Sequence, residues 1–235
     1  MKRLFSISLV VGLFLATMSL APASRTNAQS AGLVSSILNR MERNQRSLKT
    51  LRADITMSKY NSQLRDEDKY QGIVLYIPGA AGSSSAFLRL EWTNPQHEIL
   101  AVANGNYSLY RPRLKQVLEG KTGSIKSSKD SDVLALMNMS ATQLRTRFGE
   151  FQDVREETLW GGVATTHFKV FPKVAASYKY IEAWIDNEGM PVQTKMVEKN
   201  DDATTVRLTN LAKNQTIPLD QFKLNLDSSV KRVKG

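Results

Sequence analysis

The 235-residue sequence predicts a mainly β, α+β fold: about eleven antiparallel strands in one strongly curved sheet, with a leading helix and a middle helical segment filling the concave side. Three observations predict it. A helical period opens the body of the chain and gives way to alternation after Leu51. The alternating segments are joined by connections too short for crossover helices, which makes them antiparallel neighbours in a meander. Their number exceeds what a simple sheet carrying two helices needs.

Ahead of this fold, Met1, Lys2 and Arg3 form a basic head, and Leu4 to Leu20 carry no charge. Small residues follow at Ala21-Pro22-Ala23 and around Asn27-Ala28-Gln29-Ser30. This is the layout of a secretory signal, expected over residues 1–28 with cleavage between 23 and 30, leaving 31–235 as one domain. An uncleaved anchor is the alternative reading of the same residues, because an apolar run of about 17–20 residues spans a bilayer; the small residues and Pro22 favour cleavage. The chain has no cysteine, which excludes an acylated lipoprotein and any help from disulfides. With a 41% hydrophobic fraction it must hold together through its core. The net charge is +10, and loss of Lys2, Arg3 and Arg25 with the signal leaves +7. In an exported protein that balance points to a basic surface facing lipid headgroups or an acidic partner, or merely to a soluble basic face, and away from nucleic acid.

The elements follow in order. Leu33, Ile37, Leu38, Met41 and Leu48 recur at three- and four-residue spacing and predict an amphipathic helix from about Leu33 to Leu51. Strands are expected at Ala53–Tyr60, Tyr70–Ile77, Ala86–Trp92, His97–Asn104, Tyr107–Arg111 and Gln116–Glu119, separated by turn formers such as Pro78-Gly79, Asn94-Pro95 and Asn104-Gly105-Asn106. The Lys-, Ser- and Gly-rich stretch Gly120–Asp132 reads as an exposed loop, with Asp130-Ser131-Asp132 solvated. Two short helices come next, one around Val133–Met139 and one at Ala141–Phe148 with Ser140 as its N-cap. Strands resume at Glu150–Glu156, Thr158–Gly162, Ala164–Phe171, Tyr178–Asp186, Pro191–Lys199 and Thr204–Lys213. Asp186-Asn187-Glu188-Gly189 is a hairpin signal. Phe222–Leu226 closes the chain.

Catalytic and metal chemistry is poorly represented. The two histidines, His97 and His167, lie in different strand segments, and no HExxH, paired cysteine or calcium loop occurs. Gly79–Gly82 lacks the Lys-Ser/Thr of a phosphate loop. No catalytic residue, metal or cofactor is expected. The remaining signal is apolar. Leu134, Leu136, Met137 and Met139 read either as core or as a mobile lid over an acyl-chain site, since methionine suits surfaces that accept variable apolar partners. Leu33, Ile37 and Met41 carry the same two readings.

Several segments, in order, resemble the LolA-like family of periplasmic carriers and outer-membrane lipoprotein-sorting proteins. They are Gln71-Gly72-Ile73-Val74-Leu75-Tyr76-Ile77-Pro78, Phe87-Leu88-Arg89-Leu90-Glu91-Trp92, Asn104-Gly105-Asn106-Tyr107-Ser108-Leu109-Tyr110-Arg111-Pro112, Asp186-Asn187-Glu188-Gly189-Met190-Pro191 and Phe222-Lys223-Leu224. The signal and leading helix complete the likeness. Ile77 departs from it, standing where the family carries a basic residue.

The resemblance implies an open, strongly bent antiparallel half-barrel whose concave face is lidded by helices and accepts lipoprotein acyl chains in the periplasm. On that basis the protein is expected to be a non-enzymatic, monomeric carrier of lipoprotein acyl chains or similar lipid, moving cargo from an inner-membrane donor complex to an outer-membrane acceptor. An envelope lipid-sensing or protein-binding module on the same scaffold is the alternative. The expected cavity combines Leu33, Ile37 and Met41 with Leu134, Leu136, Met137 and Met139 and a sheet lining of Phe87, Trp92, Tyr107, Tyr110 and Trp184. Arg89 is the candidate contact for a headgroup or partner. Trp160, beside Gly161-Gly162, reads as a turn residue.

Overall fold

The computed structural model describes residues 23–79, 86–125 and 128–235, with side chains from residue 31 onward except 128. The expected signal therefore lies outside the described residues, apart from the backbone of the first helix from residue 23.

Among the described residues twelve strands form one sheet: β1 Leu51–Asn61, β2 Asp66–Ile77, β3 Phe87–Asn94, β4 Glu98–Ala103, β5 Asn106–Arg111, β6 Gln116–Lys121, β7 Phe148–Leu159, β8 Val163–Pro172, β9 Tyr178–Asp186, β10 Pro191–Glu198, β11 Ala203–Lys213 and β12 Lys231–Lys234. Helix α1 spans Ala23–Ser47, α2 Ser128–Met137 and α3 Ala141–Arg147. The strand order is β12-β6-β5-β4-β3-β2-β1-β11-β10-β9-β8-β7. Two antiparallel meanders, β1–β6 and β7–β11, are thus fused where β1 pairs with β11, and β12 adds to β6 in parallel. The sheet is large, curved and unclosed, the half-barrel that the sequence predicts.

Alternation decides which face is inner. Along β1, Leu51, Ala53, Ile55 and Met57 are buried while Arg52, Asp54 and Thr56 are exposed. Their cross-strand partners continue the row: Leu208, Ile55, Gly72 and Trp92 lie side by side over four strands. Gly72 has a packing reason, since a Cβ there would overlap the Glu91 carbonyl.

The inner face carries two cores. The larger joins β1–β6, β10 and β11 to Val133, Leu136 and Met137 of α2. The second joins Ile37, Leu38 and Met41 of α1 to Ala141 and Leu144 of α3 and to Phe148, Phe168, Val170, Ala183 and Ile185. The middle region is two helices, as expected, and the Ser140 hydroxyl accepts from the Gln143 amide at 3.1 Å to cap α3.

Three expectations are corrected. Gly120–Asp132 is not an exposed loop: β6 runs to Lys121, a 3-10 turn follows at Thr122–Ser124, and α2 starts at Ser128 with Asp130 fully buried. The expected strands Glu150–Glu156 and Thr158–Gly162 are one bulged edge strand, β7. Phe222-Lys223-Leu224, which the resemblance likens to the family's final strand, is not one; Phe222 ends a 3-10 turn and packs on Phe87 across the outer face, ring centroids 5.7 Å apart. The closing strand is the charged Lys231–Lys234, which hydrophobic periodicity does not reveal.

Candidate functional site: a methionine-lined cleft

A cleft of about 870 Å³ opens on the inner side where α1 ends, β2 gives way to β3, and the β9–β10 hairpin turns. Met41, Leu48, Tyr76, Pro78, Ala86, Met137, Met139, Met190 and Pro191 supply its apolar surface. Glu42, Asn44, Gln45 and Arg46 of α1 and Asn138, Ser140, Thr142 and Gln143 around the start of α3 supply a polar rim. A neighbouring cleft of about 510 Å³ shares Tyr76, Ala86 and Asn138 and continues over Leu88, Val102, Ile125 and Leu134. Four of the chain's eight methionines meet in the first cleft. Their unbranched thioethers can repack around guests of differing shape, and both volumes fall in the ordinary range for small-ligand sites. Burial pushes the Tyr76 phenol above its ordinary pKa, so it stays uncharged in this wall.

Each wall has a local cause. Asp186 Oδ1 accepts from the amides of Glu188 and Met190 at 2.9 and 2.7 Å, and Gly189 adopts φ +91°. That turn aims Met190 inward and presses Gly189 against α1, where a Cβ would overlap the Arg40 carbonyl. Asn44 Nδ2 approaches the Met190 sulfur at 3.5 Å.

The opposite wall, α2, is fastened to the sheet by polar ties. The Trp92 indole N–H donates to Asp130 at 3.0 Å. Lys129 pairs with Glu98 and lies over the Tyr70 and Trp92 rings at 5.5 and 5.6 Å. Lys59 meets Asp132 at 3.5 Å. Burial pushes Asp132 up to about 6 against the pull of Lys59, with Glu198 and Asp130 adding to the rise.

The structure divides the residues that the sequence groups into one cavity. Met41, Met137 and Met139 line the first cleft and Leu134 the second. Ile37 and Leu136 are sealed in the two separate cores, and Leu33 is half-buried on α1. Trp92 and Tyr107 face inward but are spent in the larger core, Trp92 being completely buried beneath α2.

Phe87 and Tyr110 do not share that face. Phe87 alternates with the inward Leu88 and meets Phe222; Tyr110 alternates with the inward Leu109. Trp184 is buried in the larger core beside His167, ring centroids 4.6 Å apart, and lines neither cleft. Arg89, like Phe87, is on the outer face. It holds Glu91 through two hydrogen bonds and donates to the Gln221 carbonyl at 3.2 Å. Burial raises the Glu91 carboxyl, but Arg89 and His97 outweigh it and hold the group below its usual value.

The histidines stand apart. His97 is exposed against Glu91, whereas His167 is buried between Glu182 and the Asp153 carbonyl at 3.0 and 3.1 Å. Among the described residues no group of three or more His, Asp or Glu is arranged to hold a metal ion.

Sequence reasoning misses Tyr76, Leu48, Met190 and Asn138 as lining. Met190 carries a usable signal, a methionine directly after a tight hairpin. Tyr76 and Leu48 look like any other core residue.

The comparisons with known proteins agree with this geometry. A comparison with curated proteins finds no match. MucB superposes with a TM-score of 0.55 at 14% identity, over 82% of this chain and 62% of MucB, so the chain spans less than two thirds of that protein's length. An uncharacterized conserved protein from Thermus thermophilus superposes with a TM-score of 0.54 at 11% identity, over 86% of this chain and 98% of the other. At such identities the likeness shows the fold alone. The family model described as outer membrane lipoprotein carrier protein LolA matches residues 86–225, more than half of the sequence. Its span takes in β3 to β11, both middle helices and the β9–β10 hairpin that walls the cleft, and the chain belongs to the LolA family.

Proposed function

We propose that the protein is a non-enzymatic carrier that shelters acyl chains of lipoproteins, or of similar lipids, in the methionine-lined cleft during passage through the periplasm. Export by a cleaved signal over residues 1–28 and a single monomeric domain over 31–235 belong to the same reading, as do an inner-membrane donor and an outer-membrane acceptor. The observation that carries it is the meeting of Met41, Met137, Met139 and Met190 in a cleft of about 870 Å³ between the helices and the sheet. Membership of the LolA family and a carrier-like fold support it. Among the described residues no helix is long and apolar enough to cross a membrane.

The energetics suit a carrier. Each methylene withdrawn from water contributes about 0.8 kcal/mol, so partial burial of a chain holds it in aqueous passage. A cleft with a polar rim and adaptable walls also lets it leave. Direction then comes from differences in affinity among donor, carrier and acceptor.

The test is native mass spectrometry of protein purified from its own envelope, combined with uptake of a fluorescent fatty acid. Lipid at a defined ratio, and uptake weakened at least tenfold by Met137→Asp with the fold intact by circular dichroism, is the expected result. Protein that is empty from the envelope and takes up no acyl chain sinks the carrier reading in favour of an envelope sensor or protein-binding module.

A further inference from the structure

We propose that the cleft prefers diacyl lipids bearing a phosphate headgroup, with the phosphate seated between Arg46 and Arg145 at the rim. The inference rests on the carrier reading above and narrows its cargo. Glu42 and Arg46 are the only charged side chains among the described residues lining this cleft. One Glu42 carboxylate oxygen lies 3.9 Å from Arg46. The other is held by Arg145 of α3. One carboxylate between two guanidinium groups leaves a net positive charge and most of their N–H donors unspent.

The two arginines are also only lightly held. Their side chains are 81% and 47% exposed, and the Arg46–Glu42 pair is a helical i,i+4 contact of the kind worth only a few tenths of a kcal/mol. The Glu42 carboxylate occupies the place an incoming anion would take. A phosphate offers more acceptor oxygens and matches the planar fork of each arginine.

The rest of the cleft offers two kinds of lining, apolar thioethers and, from α1 and the start of α3, polar side chains that include Arg46. A ligand that satisfies both has an apolar body and an anionic head. A neutral diacylglycerol satisfies one.

The experiment compares short-chain phosphatidylglycerol with diacylglycerol of identical chains, each displacing the fluorescent fatty acid from lipid-stripped protein. Phosphatidylglycerol is expected to bind about tenfold or more tightly, and the gap should narrow in roughly 0.5 M salt as the charges are screened. Arg46→Gln/Arg145→Gln should erase the gap while diacylglycerol still binds. Glu42→Gln, which frees both guanidinium groups, should widen it. This variant also guards against misfolding of the double substitution, because it moves the result in the opposite direction.

Equal affinity for the two lipids in the unaltered protein overturns the headgroup inference and leaves the acyl-chain reading standing. Failure of both lipids to displace the probe overturns the inference together with that reading. Glycerol phosphate without chains serves as a competitor: weak competition is expected, and competition equal to that of the whole lipid would make this a free-phosphate site and refute a lipid preference.

Discussion

Asp130 and Asp132 lie two positions apart on α2 and meet different fates. Asp130 accepts the Trp92 indole N–H in the core, whereas Asp132 faces Lys59 with Glu198 and Asp130 nearby, and burial carries its pKa to about 6. Between the ordinary value of 3.8 and 6 the folded protein holds a proton that the unfolded chain has released. This group's stabilising share is therefore complete below pH 3.8 and is lost as pH rises through 6. Asp132→Asn, which imitates the protonated acid, should stabilise the fold at about pH 7.5 by up to about 3 kcal/mol and leave stability unchanged below about pH 4. Urea unfolding at the two pH values measures it, and a difference that does not vary with pH would refute the assignment. Asp-Ser-Asp among serines and lysines has the composition of a solvated turn. What buries it is the hydrogen-bonding need of a tryptophan on β3, and periodicity does not report such a need.

At the scale of elements, the β9–β10 hairpin is the best case of legibility and also marks its limit. Asp-Asn-Glu-Gly announces the reversal, because the glycine takes a left-handed conformation that other residues resist. Nothing in those four letters says that the turn will lie against the backbone of α1. Gly189→Ala should cost about 1–3 kcal/mol by combining the φ penalty with the push on Arg40. It should also weaken fatty-acid uptake by displacing one wall of the cleft. Gly123→Ala, with open space around its Cβ position, is the control and should fall within about 0.5 kcal/mol of the unaltered protein. Thermal unfolding and the uptake assay read both variants, and equal costs at the two positions would contradict the docking argument. The helices are legible because their period is strong and Ser140 caps α3. The closing strand is not, because Lys231–Lys234 forms through backbone pairing with β6 and has almost no apolar pattern.

Across the whole molecule, the curved sheet is legible from the number of strands and the shortness of their connections. Inner and outer faces are harder. Alternation gives a period of two but not its parity, so composition alone sends aromatic residues inward regardless of position. Phe87 and Tyr110 fall on the wrong parity, while Trp92 and Tyr107 fall on the right one. The sheet's two free edges are both charged. Lys231, Arg232 and Lys234 occupy β12, and the bulged β7 carries Glu150, Asp153, Arg155, Glu156 and Glu157. Such edges discourage pairing with another chain. Removing residues 227–235 would uncover β6, and the shortened protein should lose stability and self-associate more readily than the full one. Sedimentation and urea unfolding test this, and unchanged association would show that β12 does not guard the edge.

The pairing of β1 with β11 also sets a timetable. Strands β1–β6 can zip together as they emerge, since each meets its predecessor, but the far side of β1 must wait for Ala203–Lys213. Until then Ile55 and Met57 lack the flank later supplied by Leu208 and Val206. A chain threaded through a membrane from its N-terminus would therefore pass most of its transit with a seam unsewn in mid-sheet. Closing that seam is a long-range, slow contact, and during this interval the protein needs protection from its neighbours most.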